Sequence, residues 1–288
     1  MRVTIRFFAL QRQQTGKRSH ALELPAGADV AAAWQALVAE LPELAPAASS
    51  VRFARNGAYV HLDAKLSEGD ELAVIPPVAG GSDDARDGGE ERTLEADGGG
   101  AVGEGYRRLE ITAAPLEGGL LGELRSAVAS SADGAVVIFL GQTRETPGTP
   151  APGQESEAAR FEGQAVEGLT YEAFEPMALA TLEAIADEIE MRFGVRRLAV
   201  VHRIGEVGVG EGSVLIVAAS PHRDEAFAAC RYAIEELKAR APIWKAERFA
   251  DGRVWLGAPP RSGPADPGDD TTGDRMHGAG TPGTLRLR

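Results

Sequence analysis

Residues 82–105 hold seven glycines, eight acidic and two basic side chains, and almost no large apolar residue. Such a stretch cannot bury enough apolar surface to offset the entropy of ordering it. It divides the 288-residue chain into two blocks, 1–81 and 106–258, each long enough for its own core. The last segment, 259–288, has the same Gly, Pro and Asp character and is expected to be a disordered tail.

The charge follows this division. The whole chain carries -13; residues 1–81 and 259–288 are each neutral, 82–105 carries -6 and 106–258 carries -7. That balance argues against non-specific nucleic-acid binding. No apolar run approaches the roughly 20 residues that span a bilayer, and "MRVTIRFFALQRQQ" has too short an apolar core for a secretion signal. A lone cysteine, Cys230, excludes a disulfide framework and fits a reducing cytoplasm. A cytoplasmic protein without membrane or nucleic-acid partners is the expectation.

In the first block, "RVTIRFFAL" alternates β-formers and predicts a strand over residues 2–10. "HALELPAG" predicts a second strand. Asp29 can cap a helix, "VAAAWQALVAEL", which Pro42 closes. Asn56-Gly57 in "VRFARNGAYVHL" is a hairpin signal, and "LSEGDELAVIPPV" ends on another strand. The order ββαβββ predicts a small sheet with one helix across it.

The second block reads as an α+β layer. It holds "YRRLEITAAPL" as a strand, "LLGELRSAVAS" as a helix, and "GAVVIFLGQTR" as a buried strand. A polar, Pro-rich loop follows. Then come a strand over "AVEGLTYEAF", a helix from Glu175-Pro176 to Phe193, two strands joined by a glycine-rich turn, and the helix "HRDEAFAACRYAIEELKAR". Pro242 ends that helix, and Asp251-Gly252 turns the last hairpin.

Charged residues in these otherwise apolar segments are the chemical candidates. Arg144 ends a strand. His222 and Arg223 open a helix, where backbone N–H groups already favour an anion. Lys238 and Lys245 flank the Pro242 break, so the chain can fold both around one pocket. Cations converging within an acidic domain would form a phosphate or carboxylate trap, and a crowded, desolvated lysine can act as base or nucleophile. Each residue also has a plainer role to weigh: a lysine near a helix C-terminus complements the dipole, and His222 can be a cap. His202 can be a satisfied core histidine, and Cys230 a small core residue. No motif requires a metal or redox cofactor.

The first block, ending "GDELAVIPPVAGG", resembles the ubiquitin-like sulfur carriers, specifically the small subunit of molybdopterin synthase. In the second block, "FLGQTR", "LTYEAFEPMA", "VVHRIGEVGVGEGSV", "SPHRDEAFAACRYAIEELKARAPIWKAE" and "DGRVW" resemble that enzyme's large subunit. The resemblance implies an N-terminal β-grasp domain and a C-terminal α/β hammerhead-type domain. It implies that Lys238 and Lys245 are catalytic, and that Gln142, Thr143, Arg144, His222, Arg223 and Glu247 line the pocket for cyclic pyranopterin monophosphate. Gly80-Gly81 would be the thin tail whose terminal carboxyl carries sulfur as a thiocarboxylate. Here Ser82 follows Gly81. An amide carbonyl cannot be adenylated, so the chain must be cut after Gly81 or the carrier block is silent. The partners implied are a protease, a carrier-activating adenylyltransferase, a sulfur donor and a second copy of the catalytic block. Two other readings are an uncleaved docking module served by a separate carrier, and a non-enzymatic ubiquitin-like scaffold fusion.

Overall fold

The computed structural model describes residues 1–48, 50–76, 105–116, 118–147, 159–252 and 254–256. Gly80, Gly81, the 259–288 segment and all of the acidic stretch but Gly105 lie outside them. Among the described residues no helix is long and apolar enough to cross a membrane.

The first block is a five-stranded sheet of order β2-β1-β5-β3-β4. β1 (Arg2–Phe7) pairs antiparallel with β2 (Ser19–Glu23) and parallel with β5 (Glu71–Ile75). β3 (Arg52–Arg55) and β4 (Ala58–Val60) form the hairpin at Asn56-Gly57, both of which take positive φ. The Asp29 carboxylate accepts the Ala32 N–H at 3.0 Å and so caps α2 (Val30–Glu40). That helix packs Val30, Ala33 and Leu37 against Val3, Ile5, Leu72 and Val74. This is the β-grasp arrangement.

The first strand is shorter than its alternation predicts. It stops at Phe7, and Ala9–Thr15 forms a further helix, α1, ended by Gly16 in the left-handed region. The cause is the Phe7-Phe8 pair. Phe7 fills the block's own core, so Phe8 points elsewhere, and the chain corners at Ala9 with φ +40°.

The second block holds two four-stranded sheets, of order β6-β9-β11-β7 and β10-β8-β12-β13. In the first, β6 (Tyr106–Thr112) runs parallel to β9 (Arg197–Arg203), while β11 (Gly212–Ser220) lies antiparallel to β9 and to β7 (Ala135–Gln142). Alternate residues of β9 and β11 sort to opposite faces. Ala199, Val201, Leu215 and Val217 meet α3 (Gly118–Val128). Leu198, Val200, Ile216 and Ala218 meet α4 (Glu175–Phe193) and α5 (Arg223–Arg240).

β7, expected as a buried strand, is an edge of its sheet, and Ile138 and Leu140 stay 39% and 41% exposed. After β9 the chain switches sheets: Gly205 (φ +81°) opens β10 (Gly205–Gly208), which pairs with β8 (Val166–Ala173). β8 also pairs with β12 (Ile243–Phe249), and β13 (Val254–Leu256) closes that sheet.

The two blocks share an apolar cluster. Phe8, Ala9, Ala54, Ala73 and Ile75 of the first pack with Phe174, Met177 and Trp244 of the second.

Candidate active site

The Pro242 break is what turns Lys245 back toward Lys238. α5 ends at Arg240, the Ala241 N–H still donating to the Leu237 carbonyl at 3.0 Å, and β12 starts at Ile243 on a new course. Burial pushes the Lys238 ammonium below the ordinary lysine range, and the positive charges of Lys245 and then Arg144 push it further. Lys238 keeps an exposed surface, so it is accessible as well as destabilised in its charged form. Lys238 thus senses the charges of both Lys245 and Arg144, three of the candidate residues.

The other expected members do not join them within one chain. His222 and Arg223 are exposed at the opposite end of α5, and the 15 residues from Arg223 to Lys238 span about 22 Å of helix axis. There they line a cleft with Gly134, Pro221, Asp224 and Glu225. One helix carries both groups, so sequence proximity to the same helix misled the reading of a single five-cation cluster. The Gln142 amide donates to the Gly210 carbonyl at 2.9 Å, and Thr143 is buried.

Glu247 is buried and faces Lys245, whose Nζ donates to its Oε1 at 3.1 Å. Tyr171 lies directly across from Lys245 on the neighbouring strand β8 and hydrogen-bonds Ser213. Its hydroxyl is raised above the usual phenol range, first by burial and also by the charge of Glu247. Tyr171 sets its ring edge to His202 at 5.1 Å between centroids. The buried His202 donates from Nδ1 to the Arg203 carbonyl at 2.8 Å, and burial pushes its pKa down to about 4. It is the satisfied core histidine weighed above. Cys230 is buried, with its thiol pushed up to about 11 by burial, so it is no nucleophile.

The first block docks beside the lysines. Phe8 stacks on Trp244 at 5.3 Å and meets Phe174 at 5.1 Å. Glu172 accepts the Ala9 N–H at 3.1 Å and an Arg12 N–H at 2.9 Å. Trp244 donates from Nε1 to the Pro76 carbonyl at 3.2 Å. The last described residue of the first block is thus tied to the neighbour of Lys245. Sequence reasoning missed Glu172, Trp244, Phe8 and Arg12. The Phe-Phe pair and the unbroken apolar run "LAVIPP" were the available signals, because each implies a second buried face.

Comparison with known proteins divides the chain in the same place. The ThiS family matches residues 5–81, and the family described as MoaE protein matches 117–240. A molybdopterin synthase catalytic subunit from Nostoc sp. is 43% identical over 157 residues, covering 53% of this chain and 85% of the relative. A protein of the same name from Oryza sativa subsp. indica is 44% identical over 124 residues, 43% of this chain; the chain spans 57% of that longer relative. The crystal structure of molybdopterin synthase from Staphylococcus aureus aligns with 35% identity over 52% of this chain and 96% of that one, at a TM-score of 0.43. With 43% identity across most of the Nostoc protein, and a ThiS-family domain ahead of that region, the chain belongs to the molybdopterin synthase catalytic-subunit family, joined here to a small-subunit domain.

Proposed function

We propose that the chain is a fused molybdopterin synthase of molybdenum cofactor biosynthesis, with residues 1–81 the sulfur carrier, 82–105 the linker and 106–258 the catalytic domain. The observation that carries this reading is the docked carrier, whose Pro76 is held at Trp244, one residue from Lys245. Five extended residues reach about 17 Å, so Gly81 can be delivered to the lysines from that anchor.

In this reading a thiocarboxylate at Gly81 gives its sulfur to cyclic pyranopterin monophosphate. Two such transfers build the dithiolene and open the cyclic phosphate. Arg144 and Lys245 hold the substrate's negative charge, and Lys238, with its lowered proton affinity, takes up a proton or attacks. Glu247 holds the Lys245 side chain in place.

His222 and Arg223 enter the same site only from a second copy. The exposed apolar residues Ile138 and Leu140 on edge strand β7 support a homodimer of the catalytic domain. The remaining partners are a cytoplasmic protease cutting after Gly81, an activating adenylyltransferase and a sulfur donor. Ser82 favours one competing reading, an uncut docking module served by a separate carrier. Mass spectrometry of the purified protein separates the two. A fragment ending at Gly81 and heavier by an oxygen-to-sulfur exchange supports the fused carrier; only intact chain, in cells making the cofactor, rejects it. Mixing Lys238→Ala with Arg223→Ala chains tests the dimer, because one wild-type site per mixed dimer restores activity that neither variant has alone.

A further inference from the structure

Arg144 lies two residues beyond the end of β7, where the sheet no longer holds the chain. Among the described residues β7 is an edge strand, bonded to β11 alone, and that pairing slips between Gly212 and Val214. An arginine on such an end would sweep a wide arc. The turn between β10 and β11 holds it instead. The Thr143 N–H donates to the Glu211 carbonyl at 3.0 Å, and the Gly210 N–H donates to the Thr143 carbonyl at 2.9 Å. The Gln142 side chain adds its bond to the Gly210 carbonyl at 2.9 Å.

The turn is locked in its own right by Arg203, the last residue of β9, which is only 8% exposed. Its guanidinium donates to the Glu211 carboxylate at 2.8 Å and to the Glu206 carbonyl at 2.7 Å. The same carboxylate accepts the Gly208 N–H at 2.9 Å. Contacts between a charged donor and a charged acceptor are the stronger hydrogen bonds, and this one spans the whole turn. The β7–β11 ladder runs from Ala135 to Gln142, with its one register shift at Ser213, and does not depend on this ion pair. What the turn adds is a fixed course for residues 142–144.

We propose that Arg203 and Glu211 are positioning residues for Arg144, fixing the turn that aims its guanidinium at Lys238 and at the substrate's phosphate. The proposal rests on the reading of Arg144 as a phosphate anchor. It gives the glycine-rich "GEVGVGEGS" segment a role in substrate affinity, with Gly210 at φ +82° supplying the tight corner.

The test is a double-mutant cycle on the full-length chain, with affinity for cyclic pyranopterin monophosphate measured by titration calorimetry. Arg144→Ala removes a charge-assisted contact and weakens binding about 10-fold or more. Glu211→Ala, at a half-exposed side chain, weakens it about 5-fold, and adds nothing in the Arg144→Ala background. Glu211→Gln keeps an acceptor for both donors and weakens binding about 2-fold, which serves if the alanine variant does not fold. In single turnovers after cleavage at Gly81, the Glu211→Ala effect appears in KM, and kcat falls no further than in Arg144→Ala. Equal losses in both backgrounds would mean a merely structural Glu211 and overturn the proposal. So would an unchanged affinity in Glu211→Ala where Arg144→Ala binds weakly, which leaves the phosphate anchor standing. Unchanged affinity in Arg144→Ala removes the anchor, and the proposal with it.

Discussion

Lys238 and Lys245 are chemically alike but sit in unlike surroundings. Lys245 has a buried carboxylate at 3.1 Å; Lys238 is pressed by burial and by two cations. Lys238 therefore holds its proton less tightly than an ordinary lysine, and a neutral amine is what a base or nucleophile requires. Lys238→Ala should abolish dithiolene formation from pre-thiocarboxylated carrier while the melting temperature stays within a few degrees, since no core residue is removed. Lys238→Arg should not restore it, because a guanidinium stays protonated. The sign of the pH dependence follows. Activity rises with pH through the lowered pKa of Lys238, and Arg144→Ala, which removes one repelling cation, moves that limb to higher pH. A limb that stays put in Arg144→Ala would reject this electrostatic coupling. His202 shows the opposite use of burial. Its folded pKa of about 4 lies below its ordinary 6.5, so the unfolded chain binds the proton more readily. Stability is intact above 6.5 and is lost as pH falls toward 4, by about 3 kcal/mol in all. In His202→Gln the loss of melting temperature between those pH values should shrink.

At the scale of elements, local signals were readable wherever one residue type decides the backbone. Asp29 caps α2, Asn56-Gly57 turns β3 into β4, and Pro242 separates α5 from β12. Signals failed where a second neighbour decides. The alternation Val3, Ile5, Phe7 runs on into Phe8 and Ala9, and only the packing of Phe8 on Trp244 and Phe174 explains why the strand stops and α1 begins. β7 read as buried because its residues are apolar, yet among the described residues it is the last strand of its sheet. The candidate site divided the same way. Arg144, Lys238 and Lys245 are candidates proposed from a strand end and a helix break, whereas Glu172 and Trp244 gain meaning only from the docked first block. Glu172 holds both the N–H that opens α1 and Arg12 in its last turn. Glu172→Ala removes two hydrogen bonds to a charged acceptor, and should weaken binding of a separate 1–81 carrier to 106–288 about 10-fold or more. An affinity within 2-fold of wild type, by titration calorimetry, would mean that the apolar cluster alone docks the carrier.

For the whole molecule, fusion converts carrier docking from a bimolecular to an intramolecular event. Twenty-four residues of flexible chain would span about 27 Å on average and roughly 80 Å at full stretch. Reach is thus no obstacle, and an apolar interface of Phe8, Ile75, Phe174, Met177 and Trp244 awaits the carrier in its own chain. The obstacle is chemical: Gly81 is followed by Ser82, and an amide carbonyl cannot hold a thiocarboxylate. The same tether that favours docking would also return a spent carrier to the site, although two sulfurs must arrive in turn. Cutting after Gly81 removes both difficulties, by freeing the carboxyl and by letting carriers exchange. Intact chain should therefore be inactive as sulfur donor, and cleaved chain competent once an activating enzyme and a sulfur source are supplied. Gly81→Pro should block both processing and delivery, because proline fixes φ and adds bulk where the tail must be thin. A carrier ending at Gly81 by a stop codon, mixed with separately made 106–288, should bypass processing altogether. Dithiolene made by uncut full-length chain, verified by mass and with no other carrier present, would show that sulfur reaches the lysines by a route that does not pass through Gly81.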